Sequence, residues 1–115
     1  MTNADAAAYI GRWRPSSVSE QAAAFARDVI AKTEPEGRER AKNLLWAAGK
    51  LADYAFGLGL DAAPEAVLHP SVAERFTRCA PGLPAAARRT LRTNLRFIGR
   101  RAVPRLYPAD LPLPR

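Results

Sequence analysis

TEPEGRERAKNLLWAAGKLADYAFGLG, residues 33–59, is the stretch that decides the fold class. It opens with Thr33-Glu34-Pro35-Glu36, where Thr33 and Glu36 stand at capping-box spacing and Pro35 falls near the first helical position, at which its missing N–H costs nothing. Leu44, Ala48, Leu51, Ala52 and Ala55 then line one side of a helix. Gly57 and Gly59 supply the left-handed geometry that stops it after Phe56. The pattern predicts the longest helix of the chain here, and with it the spine of the core.

Upstream, Ser17 and Glu20 form a second capping box, and Phe25, Val29 and Ile30 give one buried face to a helix running to about Lys32. Residues 1–16 hold Tyr9, Trp13 and Pro15 in a polar setting without sustained periodicity, and read as an N-terminal arm with aromatics available for docking. Downstream, residues 60–68 read as a connector with one turn at Pro64 to Val67. Ser71 and Glu74 make a third capping box for a short helix, Val72 to Cys79. After the break at Pro81-Gly82-Leu83-Pro84, residues 85–103 form an Arg-rich helix ended by Pro104. Pro104, Pro108, Pro112 and Pro114 forbid helix and strand alike, so residues 104–115 read as an extended Pro-rich tail or linker with something to follow.

A chain of 115 residues accommodates one domain with a single modest core, in which roughly two-thirds of the unfolded surface is buried. Abundant Ala and scarce Val and Ile favour close-packed helices over strands. The expectation is an all-α domain over residues 17–103, a compact orthogonal or bundle-like arrangement of about four or five helices. No stretch approaches the roughly 20 apolar residues of a membrane span, and Met1 to Ala8 lacks the basic start and apolar run of a secretory signal. That points to the cytoplasm. Cys79 stands alone, which excludes an internal disulfide and a thiol pair for zinc; it reads as a small buried or half-buried apolar residue, with a reactive thiol as the other reading.

The formal charge of +7 is local. Residues 1–87 carry ten Lys/Arg against ten Asp/Glu, whereas residues 88–115 carry eight Arg against Asp110 alone. On a helical wheel Leu91, Leu95, Ile98 and Ala102 fall in one stripe, and Arg88, Arg89, Arg92, Arg96 and Arg100 spread over the adjoining arc. Concentrated Arg costs stability by self-repulsion, and guanidinium groups match phosphate oxygens bidentately. Two other readings stand beside a phosphate-binding face: Arg as mere helix solvation, and a helix for a membrane surface or an acidic protein. Against mere solvation, no acidic residue lies between Glu74 and Asp110, where Glu at i,i+4 spacing would ordinarily be interleaved. Thr93 lies near the basic arc, while Thr90 and Asn94 lie beyond it and read as structural.

Trp46 falls opposite the Leu44/Leu51 stripe, beside Lys42, Lys50 and Asp53. It is covered either by a partner or by the N-terminal arm or another helix. His69 has no second His, no Cys partner and no His-x-x-Glu spacing, and reads as a turn residue. The carboxylates Glu34, Glu36 and Glu39 sit where they favour a helix dipole, and Gly57-Leu58-Gly59 is a helix stop rather than a phosphate cradle. No metal site, cofactor site or catalytic constellation is expected.

Taken in order, the long helix ending in Ala55-Phe56-Gly57-Leu58-Gly59-Leu60, the Pro-containing connector, the short Ser71-Val72-Ala73-Glu74-Arg75-Phe76 helix and the Arg-rich helix with Thr90-Leu91-Arg92-Thr93-Asn94-Leu95-Arg96 resemble a known family. The resemblance is to the N-terminal core-binding, SAM-like domain of tyrosine recombinases, the phage-type integrases, particularly those of high-GC actinobacteria. It covers roughly residues 17–103. It implies a domain that forms half of a clamp around duplex DNA, followed by a Pro/Arg-containing linker to a separate catalytic domain. The family's catalytic Arg, His-x-x-Arg and nucleophilic Tyr belong to that other domain. Here His69 is followed by Pro70-Ser71-Val72, so Tyr9, Tyr54 and Tyr107 have no nucleophile role assigned.

The sequence thus leads to a non-catalytic helical domain gripping double-stranded DNA through phosphates, nucleoid-associated in the cytoplasm. Arg88, Arg89, Arg92, Thr93, Arg96 and Arg100 are the expected contacts, with Lys42 and Lys50 as outer ones. The competing expectation is a protein-interaction module in which Trp46 or the N-terminal arm, with the basic helix, meets an acidic partner.

Overall fold

A computed structural model describes residues 4–107. Six α-helices occur among them: α1 Ala4–Arg12, α2 Glu20–Thr33, α3 Arg38–Gly57, α4 Pro64–Val67, α5 Pro70–Cys79 and α6 Ala85–Ala102, followed by a 3-10 turn at Pro104–Leu106. No described residue is in a strand. No helix is long and apolar enough to cross a membrane among the described residues.

The all-α expectation holds, and α3 is the spine. It packs against every other α-helix, which its composition permits: Ala41, Ala47, Ala48, Ala52 and Ala55 are fully buried beside Leu44, Leu45 and Leu51. Alanine keeps neighbouring helix axes close, and the leucines between them fill the remaining space. Phe25, Val29 and Ile30 of α2 and Leu91, Leu95 and Ile98 of α6 complete the core as their spacing predicts. Phe25 meets Phe56 edge to face, with centroids 6.1 Å apart.

The helix starts move. The cap of α2 is Ser19, whose hydroxyl accepts from the N–H of Ala22 at 3.1 Å, rather than Ser17. Thr33 ends α2 instead of opening α3: its hydroxyl donates to Ile30 O at 2.8 Å, and Glu34 adopts a left-handed φ of 49°. Pro35 is buried, and α3 begins only at Arg38 behind Gly37. The start of α5 is two residues earlier than expected, because the His69 ring nitrogen Nδ1 accepts from the N–H of Ser71 at 3.1 Å and caps the helix with Pro70 at its first position. Cys79 is exposed, contrary to the buried or half-buried reading.

The larger correction concerns the boundaries at residues 16 and 104. The N-terminal arm is helical and belongs to the core: Ala6 and Ile10 are buried, and Tyr9 and Trp13 pack against the same cluster. Nine residues do not hold a helix alone; what holds this one is docking on α3, where the Trp13 ring lies over Gly49 so closely that a Cβ would come within 2.7 Å of its Cη2. At the other end, residues 104–107 fold back instead of running out as an extended tail. The Tyr107 ring lies against Gly99 of α6, and its hydroxyl donates to Leu68 O at 2.6 Å, tying the end of α6 to the end of α4. The rest of the expected tail, residues 108–115, lies outside the described residues.

Burial pushes the Tyr107 hydroxyl from its ordinary 10.0 up to about 12. A phenol whose value is higher folded than unfolded contributes stability that is full below pH 10.0 and is lost as pH rises through about 12. In a spectrophotometric titration one tyrosine step near pH 12 is expected, absent in Tyr107→Phe. Gly99→Ala, which in an open helix would gain about 1 kcal/mol of propensity, should instead cost about 1–3 kcal/mol in urea unfolding because its methyl displaces the Tyr107 ring. Gly11→Ala, facing open space on α1, is the control and should be neutral or slightly stabilising.

Candidate nucleic-acid interface

After Gly82, at a φ of 74°, turns the chain, Pro84 provides an extended residue and three alanines open α6. Leu91, Leu95 and Ile98 bury one side against the core, and this fixes how every arginine on the helix is presented. Those nearest the apolar stripe on the wheel meet neighbouring protein; those further round meet solvent.

Arg88 and Arg92 are of the first kind. The Arg88 guanidinium donates from Nη1 to Thr77 O and, at 3.1 Å, to Arg78 O, and from Nη2 to Leu83 O at 3.2 Å. Two of these carbonyls belong to the last turn of α5, where the helix leaves acceptors without intrahelical donors. Arg88 therefore joins the end of α5 to the start of α6. Arg92 makes a two-pronged pair with Glu74 of α5, Nε to Oε1 and Nη2 to Oε2, both at 3.0 Å. The bonds from Arg92, the largest effect, together with the charges of Arg92, Arg78 and Arg96, hold the Glu74 carboxyl below its ordinary 4.5 against a smaller opposing effect of burial. Both arginines stand where the sequence put them on the wheel, but with protein partners, so neither is a freely offered phosphate ligand.

Arg89, Arg96 and Arg100 are of the second kind. With Thr93 they are spaced four, three and four residues apart, which puts all four on one ridge about 16 Å long. All four are exposed. None of the four side chains makes a hydrogen bond or ion pair to a described residue. Thr90 returns its hydroxyl to Ala86 O at 3.2 Å, and Asn94 is buried, accepting from Arg40 of α3 at 3.0 Å; both are structural, as expected.

Sequence reading missed the cations that frame this ridge. Arg75 and Arg78 are exposed on α5, and Arg78 follows Glu74 by one turn. On the other flank, Arg40 and Arg101 both stack on Phe97, at 4.6 and 4.8 Å from the ring centroid. A signal was present: from Arg75 to Tyr107 the chain holds nine Arg and no carboxylate. Lys42, Trp46 and Lys50 form a separate stripe on α3; Lys42 is exposed, Lys50 half-buried, and Trp46 is 43% exposed. The aromatic that the arm docks on α3, Trp13, does so at Gly49. No hydrogen bond or ion pair among the described residues joins this stripe to α6.

No group of metal-ligating side chains is present among the described residues. Comparison with family models, curated proteins and solved structures finds no match.

The two kinds of arginine should separate in unfolding experiments. Arg88→Ala strands three carbonyls and should cost about 1–2 kcal/mol. Arg92→Ala, whose pair with Glu74 is half-exposed, should cost under about 1 kcal/mol, and this contribution should be present above pH 4.5 and vanish as pH falls through the depressed value of Glu74. Arg89→Ala, Arg96→Ala and Arg100→Ala should each stay within about 0.5 kcal/mol of the parent.

Proposed function

We propose that this chain is a non-catalytic DNA-binding domain that holds the duplex through its phosphates, with Arg89, Thr93, Arg96 and Arg100 as the central contacts. The observation that carries the reading is the α6 ridge: three solvent-facing guanidiniums and a hydroxyl in register, in a segment of nine Arg without a carboxylate. Arg78 extends this field onto α5, and Arg92 adds to it whenever its pair with Glu74 opens. Arg suits the task because its planar fork meets two phosphate oxygens at once and is weakly hydrated. Nothing on the ridge is arranged to read base edges, so discrimination between sequences should be small.

Supporting the kinship expectation is the order of elements alone: a long α3 stopped at Gly57-Leu58-Gly59, a short α5 and an Arg-rich α6, as in the core-binding domains of tyrosine recombinases. On that reading the domain works in the cytoplasm on the nucleoid and contributes grip, with cleavage chemistry residing elsewhere. A second reading, a module for an acidic protein partner, is favoured by one observation, the exposed Trp46 between Lys42 and Lys50.

Fluorescence anisotropy with a labelled duplex, between about 50 and 200 mM salt, tests the proposal. Three phosphate contacts give a slope of log K against log salt of about −2.7, steeper if the flanking arginines engage. Combining Arg89→Ala, Arg96→Ala and Arg100→Ala should weaken binding of every duplex alike and flatten the slope by about that amount. Glu74→Gln releases Arg92 and removes the one carboxylate between Ala66 and Tyr107, so it should tighten binding severalfold at low salt. A triple variant that binds as the parent does rejects the ridge, and loss of binding in Trp46→Ala instead supports the second reading.

A further inference from the structure

On the side of the molecule formed by α1 and the start of α3, Tyr9, Arg12, Trp13, Arg14, Pro15 and Arg38 line an open cleft of about 400 Å³. That volume is within the usual range of small-molecule sites, about 300–1,000 Å³. Its composition is unusual for the end of a helix: three guanidiniums and two aromatic rings, with no carboxylate among the described residues of the lining.

The electrostatics have been prepared for an anion. The C-terminal end of α1 presents carbonyl oxygens and the negative end of the helix dipole, which would repel negative charge. One of them, Gly11 O, accepts from a guanidinium, and so does Trp13 O just beyond the helix. Arg14 donates from Nη1 to Gly11 O at 3.0 Å and to Trp13 O at 3.1 Å, and Arg27 reaches across from α2 to Trp13 O at 2.9 Å while pairing with Glu20 at 3.0 Å. Arg38 is stacked with its guanidinium carbon 5.3 Å from the centroid of Tyr9, held at the cleft by a ring rather than by an acidic partner. Arg12 is exposed and makes no hydrogen bond or ion pair to a described residue. Two cations thus remain to bind, beside flat surfaces on which a planar group stacks.

We propose that this cleft binds a nucleotide, with Arg12 and Arg38 on the phosphate and the base stacked on the Tyr9–Arg38 or Trp13 surface. A bare phosphate would leave the aromatic walls unused, and an uncharged aromatic would leave the guanidiniums unused. The nucleotide is either free in solution or the phosphorylated end of a nucleic acid strand; the chemistry recognised is the same. The site is on α1 and α3, distinct from the α6 ridge.

The test uses Trp46→Phe, which leaves Trp13 as the remaining tryptophan of the chain. Deoxyadenosine 5′-monophosphate should change Trp13 fluorescence saturably, while deoxyadenosine and inorganic phosphate should each bind at least about tenfold more weakly. In that background Arg12→Ala and Arg38→Ala, both exposed and with circular dichroism confirming the fold, should each weaken the response by about tenfold or more. A short single strand with a 5′-phosphate that binds more tightly than free nucleotide identifies a strand end as the ligand; equal or weaker binding identifies the free nucleotide. No saturable response from either probe, or a response that survives in both Arg variants, overturns the proposal. The Arg89/Arg96/Arg100 triple variant must keep the response, since its loss there would place the ligand on the ridge; a protein that binds nucleotide but no duplex refutes the ridge and leaves the cleft standing.

Discussion

Helix α6 is held in place against its own charge. Arg88, Arg92, Arg96 and Arg100 follow one another at i,i+4 spacing, and each like-charged neighbour pair opposes the helix by about 0.2–0.5 kcal/mol. The burial of Leu91, Leu95 and Ile98 outweighs this, at about 1.5–3 kcal/mol for each side chain. That burial is possible only because α3 offers a face of alanines and leucines onto which α6, α2 and α1 can all close. The basic surface is therefore a consequence of core packing, and a lesion on the inner side of α3 would remove it as surely as substitution of its arginines.

Position on the wheel then divides the arginines. Arg88 and Arg92 border the apolar stripe and are within reach of α5, where they take up stranded carbonyls and the Glu74 carboxylate. Arg89, Arg96 and Arg100 lie further round and are exposed, with Arg96 near enough to Glu74 to act on it through charge but not bonded to it. A chain that merely needed a soluble helix could have met this exposed arc with glutamates at i+4, gaining ion pairs in place of repulsion. It keeps the arc positive, and places Arg75 and Arg78 on the adjoining helix with the same sign.

The helices were legible where burial is periodic over several turns. Leu44 to Ala55 and Leu91 to Ile98 announce their faces in the sequence and are buried as expected. The breaks before α5 and α6 were equally plain in their prolines. What the sequence concealed depends on contacts from distant segments. Ala6, Tyr9, Ile10 and Trp13 do have helical spacing, but over too short a span to stand out without the Gly49 recess that receives Trp13. Capping boxes misled at Ser17, because Ser19 takes the cap instead, and at Thr33, whose hydroxyl serves the end of the preceding helix. Likewise the wheel located the basic arc but could not tell Arg92 from Arg96, since the difference is a glutamate on another helix, eighteen residues away.

Arg88 also shows why the charge count alone overstates a binding surface. A guanidinium that saturates three carbonyls adds its positive charge to the field but has few donors left for a phosphate, whereas one standing free offers its whole fork. In the proposed binding mode, long-range attraction and short-range grip would thus come from different members of the same helix. On the proposed reading, the paired arginines would contribute to steering, which decays over the roughly 8–10 Å Debye length of ordinary salt solutions. On the proposed reading, the free ones would supply the contacts that must be broken before a partner leaves. Glu74 sits between the two roles: by engaging Arg92 it lowers the number of free forks and fixes α5 to α6, so the same carboxylate that stabilises the fold weakens the surface beside it.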